Sequence, residues 1–292
     1  MHPPPPSPDL LPRAAFDAHL EAFRGVTQET IAGPEAECRY RNEVLTMLQS
    51  LRYQDRLLAD LRGFFRFLKP GARVLDIGTG CGIAGFMFAA QGFPTEAIDI
   101  DDFAENPHTH SRMAAEQRIL WSALMRRQPG VHFQHYHDSR IPFDDASFDA
   151  VVGYGVIEHI PEGVLEEVMR DIRRVTQPDG LLFISYLPRQ WAWMEVACEL
   201  LGRPLHKRRW GDREARDFLA AHRYAIEDFQ RIIYAPQYPS RFTNRHKAWL
   251  DLLDPLAGVM PFALLARDLF IVARKQPEMD GGGAAGRTGA SA

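Results

Sequence analysis

One ten-residue stretch, Arg73-Val74-Leu75-Asp76-Ile77-Gly78-Thr79-Gly80-Cys81-Gly82, restricts the possible folds of this chain more than any other. An apolar run from Arg73 to Ile77 has the length of a buried strand and enters a turn with glycine at alternate positions. Glycine tolerates positive φ and lets a ligand come close to the main chain. The apolar stretch from Ile83 to Ala90 then starts a helix. Strand, glycine turn and helix together make the nucleotide-binding corner of an α/β sheet.

Two common readings of such a corner fail. The dinucleotide fingerprint needs G-x-G-x-x-G, whereas the glycines here run G-x-G-x-G. No G-x-x-x-x-G-K-[ST] phosphate loop occurs. Asp76, two residues before the first glycine, would repel a pyrophosphate and suits a ligand with an ammonium group.

Further elements fall at regular intervals. A second strand, Thr95 to Ile98, ends at Asp99, about 20 residues past the first glycine, where a βαβ unit puts its ribose carboxylate. Ile100 follows it, and Asp101 and Asp102 are close enough to compete for the role. The run His137-Asp138-Ser139-Arg140-Ile141-Pro142-Phe143 leads through Ser147-Phe148-Asp149 into a strand, Ala150 to Tyr154. That strand ends in Gly153-Tyr154-Gly155-Val156-Ile157-Glu158-His159-Ile160-Pro161. Arg174 to Gly180 then reads as a helix end and turn before a fifth strand, Leu181 to Ser185.

In this order and spacing, the segments from about Leu68 to Tyr186 resemble the class I S-adenosylmethionine-dependent methyltransferases. The resemblance implies an α/β, Rossmann-like, seven-stranded, mostly parallel sheet with helices on both faces and its last strand antiparallel. It implies S-adenosyl-L-methionine as cofactor. Asp76, Gly78, Thr79, Gly80 and Gly82 would form its loop, and Asp99 with Ile100 would hold the ribose. Asp138 and Ser139 would meet the adenine, and Gly153 and Tyr154 would lie near the methionine part.

The chemistry needs little from the protein: methyl transfer from a sulfonium is an in-line displacement, and the enzyme contributes mainly alignment. A base is required only when the acceptor loses a proton. His159 is the first candidate base, with packing or capping before Pro161 as the alternative. Glu158 is the second, or else orients a cofactor or substrate group. Tyr154 and Tyr186 could line the pocket. His108, His110, His135 and His137 have metal-ligand character, but His137 with Asp138 falls in the expected adenine region, His135 and His137 alternate as in a strand, and no metal is expected. Arg203 to Trp210 is a basic cluster that follows Trp191 and Trp193, fit for a solvated loop, an acidic substrate or an anionic surface.

Alternation of strand and helix from Arg73 to Ser185 argues independently for a parallel sheet covered on both faces. Residues 1–13 read as a disordered Pro-rich end and 277–292 as a disordered Gly/Ala tail. Residues 14–67 read as helices packed on the sheet edge or over the pocket, from which Arg52, Tyr53 and Gln54 could reach the cofactor. Residues 68–276 form the cofactor-binding domain, with substrate-contacting insertions at 187–222 and 235–262. Within these, Asp212 to His222 is expected to be a helix capped by Asp212, and Arg241 to Pro261 a helix near the pocket mouth.

A net charge of −4 gives no footprint for general nucleic-acid binding. Three scattered cysteines, Cys38, Cys81 and Cys198, imply a reducing compartment. No signal peptide and no membrane-spanning run is read, and a cytoplasmic location is expected. The leading expectation is methyl transfer to a small-molecule acceptor, most readily an oxygen of a secondary metabolite, sugar or quinone-like compound. The alternatives are a nucleic-acid or protein methyltransferase, and a catalytically inactive cofactor-binding module.

Overall fold

The structure, a computed structural model, describes residues 10–30, 38–100, 111–136 and 140–277. His108, His110, His137, Asp138, Ser139, Asp101 and Asp102 lie outside the described residues, so the expected adenine contacts do too.

Seven strands form one sheet in the order β3-β2-β1-β4-β5-β7-β6. They are β1 (Val74–Ile77), β2 (Thr95–Ile100), β3 (Val131–Tyr136), β4 (Phe148–Tyr154), β5 (Thr176–Pro188), β6 (Tyr224–Ile232) and β7 (Asp268–Lys275). The first five pair in parallel, while β7 runs antiparallel between β5 and β6. The chain reverses its direction of travel across the sheet between β1 and β4. Such a switch point opens a crevice at the strand carboxyl ends, and the glycine turn after β1 and Gly153-Tyr154 at the end of β4 border it.

Helices cover both faces because β1 is buried along its whole length and the central strands nearly so. On one face lie α1 (Arg13–Thr30), α2 (Arg39–Leu48), α3 (Leu51–Phe65), α4 (Ile83–Ala90) and α5 (Ser111–Arg127). Phe16, Leu20, Phe23 and Thr27 recur at helical spacing and bury one side of α1. On the other face lie α6 (Glu162–Val175) and α8 (Asp212–Ala221), whose Leu165, Met169, Ile172, Ala215 and Leu219 meet Leu75, Val151 and Leu182.

The expected disordered end is too long. Leu11 is fully buried, and its carbonyl accepts from Arg62 Nε at 2.9 Å. Nor is α3 an edge element: it lies on the sheet face. Phe64 stacks on Phe183 of β5 at 4.6 Å and on Phe270 of β7 at 4.8 Å. A Cβ at Gly63 would come within 2.6 Å of the Phe270 ring, so the missing side chain is what allows this approach. Truncating a fully buried phenylalanine of this kind costs about 3–5 kcal/mol.

Two further expectations are corrected. Asp212 does not cap α8. Gly211 occupies that position, and its N–H donates to Glu214 Oε2 at 3.1 Å, which frees Asp212 to accept from Arg189 and Arg231. The single helix expected over Arg241 to Pro261 is broken into α9 (Ser240–Arg245), α10 (Lys247–Asp251) and 3-10 turns at Asp254–Gly258 and Phe262–Leu265. Pro255, Gly258 and Pro261 interrupt the helical run. The apolar run from Trp191 to Leu201, which its sequence predicts to be a helix, forms α7 (Trp193–Leu200).

Candidate active site

The glycine turn is fixed from both sides. Gly78, Gly80 and Gly82 have φ of 60°, 54° and 86°. A Cβ on Gly78 would lie 2.1 Å from Val156 Cγ2, and one on Gly82 would lie 2.6 Å from the Phe133 ring. Gly80, between them, faces open space: the nearest atom to its would-be Cβ is the Gly78 carbonyl oxygen at 4.0 Å. The turn is thus packed tightly at its ends and accessible at its middle, the arrangement a backbone-cradled ligand needs.

Asp76, at 1% exposure, ties the turn to the next helix. Its Oδ2 accepts from Thr79 Oγ at 2.6 Å and from the Gly85 N–H at 3.0 Å. Its Oδ1 is buried and accepts nothing among the described residues. Burial pushes the carboxyl up to about 7 against the pull of those two donors.

Asp99 Oδ2 accepts from the Gly80 N–H at 2.9 Å, and its Oδ1 from the Ile100 N–H at 2.9 Å. Burial raises its pKa, opposed by those N–H groups. A carboxylate has about four acceptor positions; the two N–H groups and Gln117 Nε2, at 3.4 Å, occupy three and leave one open to a ribose hydroxyl. The open face at Gly80, the leftover acceptor on Asp76 and the carboxylate at the end of β2 fit a nucleoside with an ammonium group. Ile100 is exposed beside them.

Two residues of the corner have no counterpart in the sequence reading. From α5, Gln117 Nε2 and Trp121 Nε1 donate to the Gly80 carbonyl at 2.7 and 3.0 Å. Gln117 Oε1 also meets His135 Nε2 at 3.0 Å, and the Trp121 ring lies tilted against the same imidazole, with centroids 4.4 Å apart. Their spacing of four residues on one helix face was the available signal.

Across the crevice, β4 runs into a 3-10 turn, Ile157–His159. Val156 lies against Gly78, so this turn sits directly beside the glycine loop. Glu158 is buried and its carboxyl is pushed up to about 8, by burial first and then by Asp268. His159 has a half-exposed side chain with Nε2 3.7 Å from Glu158 Oε1. His206 joins them, its ring 6.0 Å from that of His159, and its Nδ1 is 2.7 Å from Glu195 Oε1. Among the described residues, Glu158, His159 and His206 offer ligand atoms within 4.8 Å of one another. The sequence assigns His206 to a basic surface cluster, and only the fold brings it here.

Tyrosines occupy the remaining side. Tyr154 and Tyr186 lie 5.1 Å apart, Tyr53 of α3 is 6.4 Å from Tyr186, and Tyr238 is 6.4 Å from Tyr53. Gln237 Nε2 donates to Tyr186 Oη at 3.0 Å. Burial raises all four phenols well above the ordinary range, which keeps them neutral and unfit as bases. Beneath them Arg56 and Asp60 form a buried ion pair, and Asp60 Oδ2 accepts from Ser185 Oγ at 2.9 Å. Arg52 turns the other way, donating to Pro236 O at 2.9 Å and pairing with Asp251 and Asp254, so it braces the 235–254 segment.

A sequence profile described as a methyltransferase domain matches residues 50–243. Ubiquinone biosynthesis O-methyltransferase of Xanthomonas campestris pv. campestris is 28% identical over 188 residues, covering 59% of this chain and 70% of that protein. Demethylmenaquinone methyltransferase of Renibacterium salmoninarum is 30% identical over 146 residues, 49% of this chain and 51% of that protein. Among solved structures, the 1,6-didemethyltoxoflavin-N1-methyltransferase of Burkholderia thailandensis, bound to 1,6-didemethyltoxoflavin and S-adenosylhomocysteine, superposes with a TM-score of 0.51. That pair shares 19% identity, over 85% of this chain and 92% of the other. At that identity the likeness concerns the fold.

Proposed function

Since the chain belongs to the S-adenosylmethionine-dependent methyltransferase family, we propose that it methylates an oxygen of a small hydroxylated acceptor held between the glycine turn and the tyrosine cluster. The observation that carries this reading is the Glu158–His159 pair, set beside the glycine loop through the contact of Val156 with Gly78. Relatives named for quinone-biosynthesis methylation support the acceptor class.

The bound cofactor supplies an electrophilic methyl group on a sulfonium sulfur. Asp99 would hold its ribose diol, Gly78 to Gly82 would line its backbone, and Asp76 would favour its cationic end. His159 would accept the acceptor's hydroxyl proton as the oxygen–carbon bond forms and the carbon–sulfur bond breaks. Glu158, 3.7 Å away, would be drawn toward its ionised form by the resulting imidazolium and would stabilise it. Tyr53, Tyr154 and Tyr186 would face a planar acceptor and exclude water.

The test is S-adenosylhomocysteine release across matched panels of phenols, catechols, hydroquinones and their amine analogues. Turnover with the hydroxylated set is expected. Turnover confined to the amines overturns the oxygen assignment, and none with either overturns the small-aromatic reading.

A further inference from the structure

The basic cluster turns His206 toward the site above, but its exposed Arg203 and Lys207 and the neighbouring tryptophans have no place there, and they stand in segments that also carry large exposed apolar side chains. Leu200, Trp249 and Trp191 are 82%, 75% and 66% exposed, and Leu201, Leu252 and Met260 are similarly open. Trp191 precedes α7, Leu200 ends it and Leu201 follows it, while Trp249 lies on α10 and Leu252 and Met260 lie in the turns after it. Hydrogen bonds link these segments to one another. Trp193 Nε1 donates to the Tyr234 carbonyl at 2.7 Å, and the Tyr234 N–H donates to Asp254 Oδ1 at 3.2 Å. Arg189, two residues before Trp191, donates to the carbonyls of Ala263 and Leu264 at 2.9 and 3.0 Å. Monomeric proteins seldom leave so many large apolar side chains together in water.

The charge on this face decides what covers it. Arg203 and Lys207 flank α7 and its following loop, while Arg241 and Arg245 lie on α9. All four are exposed and make no ion pair among the described residues. In a chain of net charge −4 they are a local positive excess. Tryptophan and leucine bordered by unpaired cations match the boundary of an anionic bilayer, where indoles sit at headgroup depth and cations meet lipid phosphates. A second copy of this chain would bring an identical positive face against the first, with like charges opposed. No described helix is long and apolar enough to cross a membrane, so contact would be at the surface.

We propose that the face formed by α7, α10 and the 3-10 turns at Asp254–Gly258 and Phe262–Leu265 docks peripherally on anionic lipid bilayers. Tyr238 lies at the edge of this region, 38% exposed and 6.4 Å from Tyr53, so the docked face adjoins the tyrosine cluster. An acceptor dissolved in lipid would meet the site without crossing bulk water. The docking itself stands whether or not oxygen is the methylated atom.

The full chain is mixed with phosphatidylcholine vesicles with or without about 30 mol% phosphatidylglycerol and sedimented at low and moderate salt. Binding to the anionic vesicles, falling as salt rises and ~10-fold weaker on phosphatidylcholine alone, is expected. The Trp191→Ser/Leu200→Ser/Trp249→Ser variant should lose ~10-fold in vesicle affinity while its calorimetric affinity for S-adenosylhomocysteine stays unchanged. Arg203→Gln/Lys207→Gln/Arg241→Gln/Arg245→Gln should abolish the preference for anionic lipid. Absence of binding by the wild type, or equal binding by the serine variant, overturns the proposal. A wild-type dimer in sedimentation velocity that the serine variant converts to monomer also overturns it, in favour of a self-association face.

Discussion

The two halves of the sheet are held together in different ways. Around β1 and β2 the contacts that shape the donor corner are mostly close in sequence: Asp76 to Thr79 and Gly85, Gly80 to Asp99. Around β5, β6 and β7 they are distant: Asp60 to Ser185, Arg52 to Asp254, Ser50 Oγ to the Gln237 carbonyl at 2.7 Å. The donor side is a backbone-defined cradle that tolerates few residue types. The tyrosine side, proposed to hold the acceptor, is assembled from side chains of α3 and the late turns, so its chemistry can change without altering the cradle. A family that keeps one methyl donor and varies its acceptors needs that division.

Four substitutions probe the contrast, in falling order of effect. Asp60→Ala leaves the Arg56 guanidinium buried without its partner and should cost about 3–5 kcal/mol in chemical denaturation. The folded fraction should still bind S-adenosylhomocysteine within about threefold of wild type, since no hydrogen bond among the described residues joins the ion pair to the glycine turn. A large loss of donor affinity would mean that the two halves are coupled. Gly78→Ala asks a Cβ to enter the space of Val156 at positive φ and should cost about 2–4 kcal/mol, with donor binding lost in calorimetry. Normal binding by this variant would show that the turn is looser than its packing.

Asp99→Ala removes the diol acceptor and should weaken donor binding about 100-fold while thermal stability changes little. Unchanged affinity would remove Asp99 from the site. The smallest effect is a pH dependence. The Glu158 carboxyl moves from 4.5 to about 8 on folding, so the native state holds its proton more tightly than the unfolded chain. Its contribution falls as pH rises from about 4.5 to about 8 and is level outside that window. Glu158→Gln should therefore gain stability relative to wild type steadily between pH 5 and pH 8 in paired urea titrations. A difference that does not change with pH would mean that Glu158 is already ionised in the fold.

The same contrast governs what the sequence reveals. β1, the glycine turn, α4, β2 and Asp99 are legible because glycine spacing, apolar runs and a carboxylate at fixed distance are local signals. The antiparallel β7 between β5 and β6 followed from family resemblance and is present. Gln117 and Trp121 escaped because their spacing of four residues shows that they share a face of α5 but not that this face meets the turn. His206 escaped because its neighbour His159 is distant in sequence and comes near only through folding. Arg52, which by sequence could reach the cofactor, braces a segment about 200 residues away, where it meets Asp251 and Asp254. The broken helix after Ser240 was misjudged because apolar spacing outweighed Pro255, Gly258 and Pro261 in the reading.

On the proposed reading, donor binding and proton acceptance reside on opposite sides of the crevice. Single-turnover methyl transfer and donor calorimetry on His159→Ala, run on the same preparation with a hydroxylated acceptor, test it most directly. The account predicts S-adenosylhomocysteine affinity equal to wild type and a transfer rate lower by about 100-fold or more, recovering as pH rises toward the acceptor's own pKa. An unchanged rate, or a rate and a donor affinity that fall together, would contradict it.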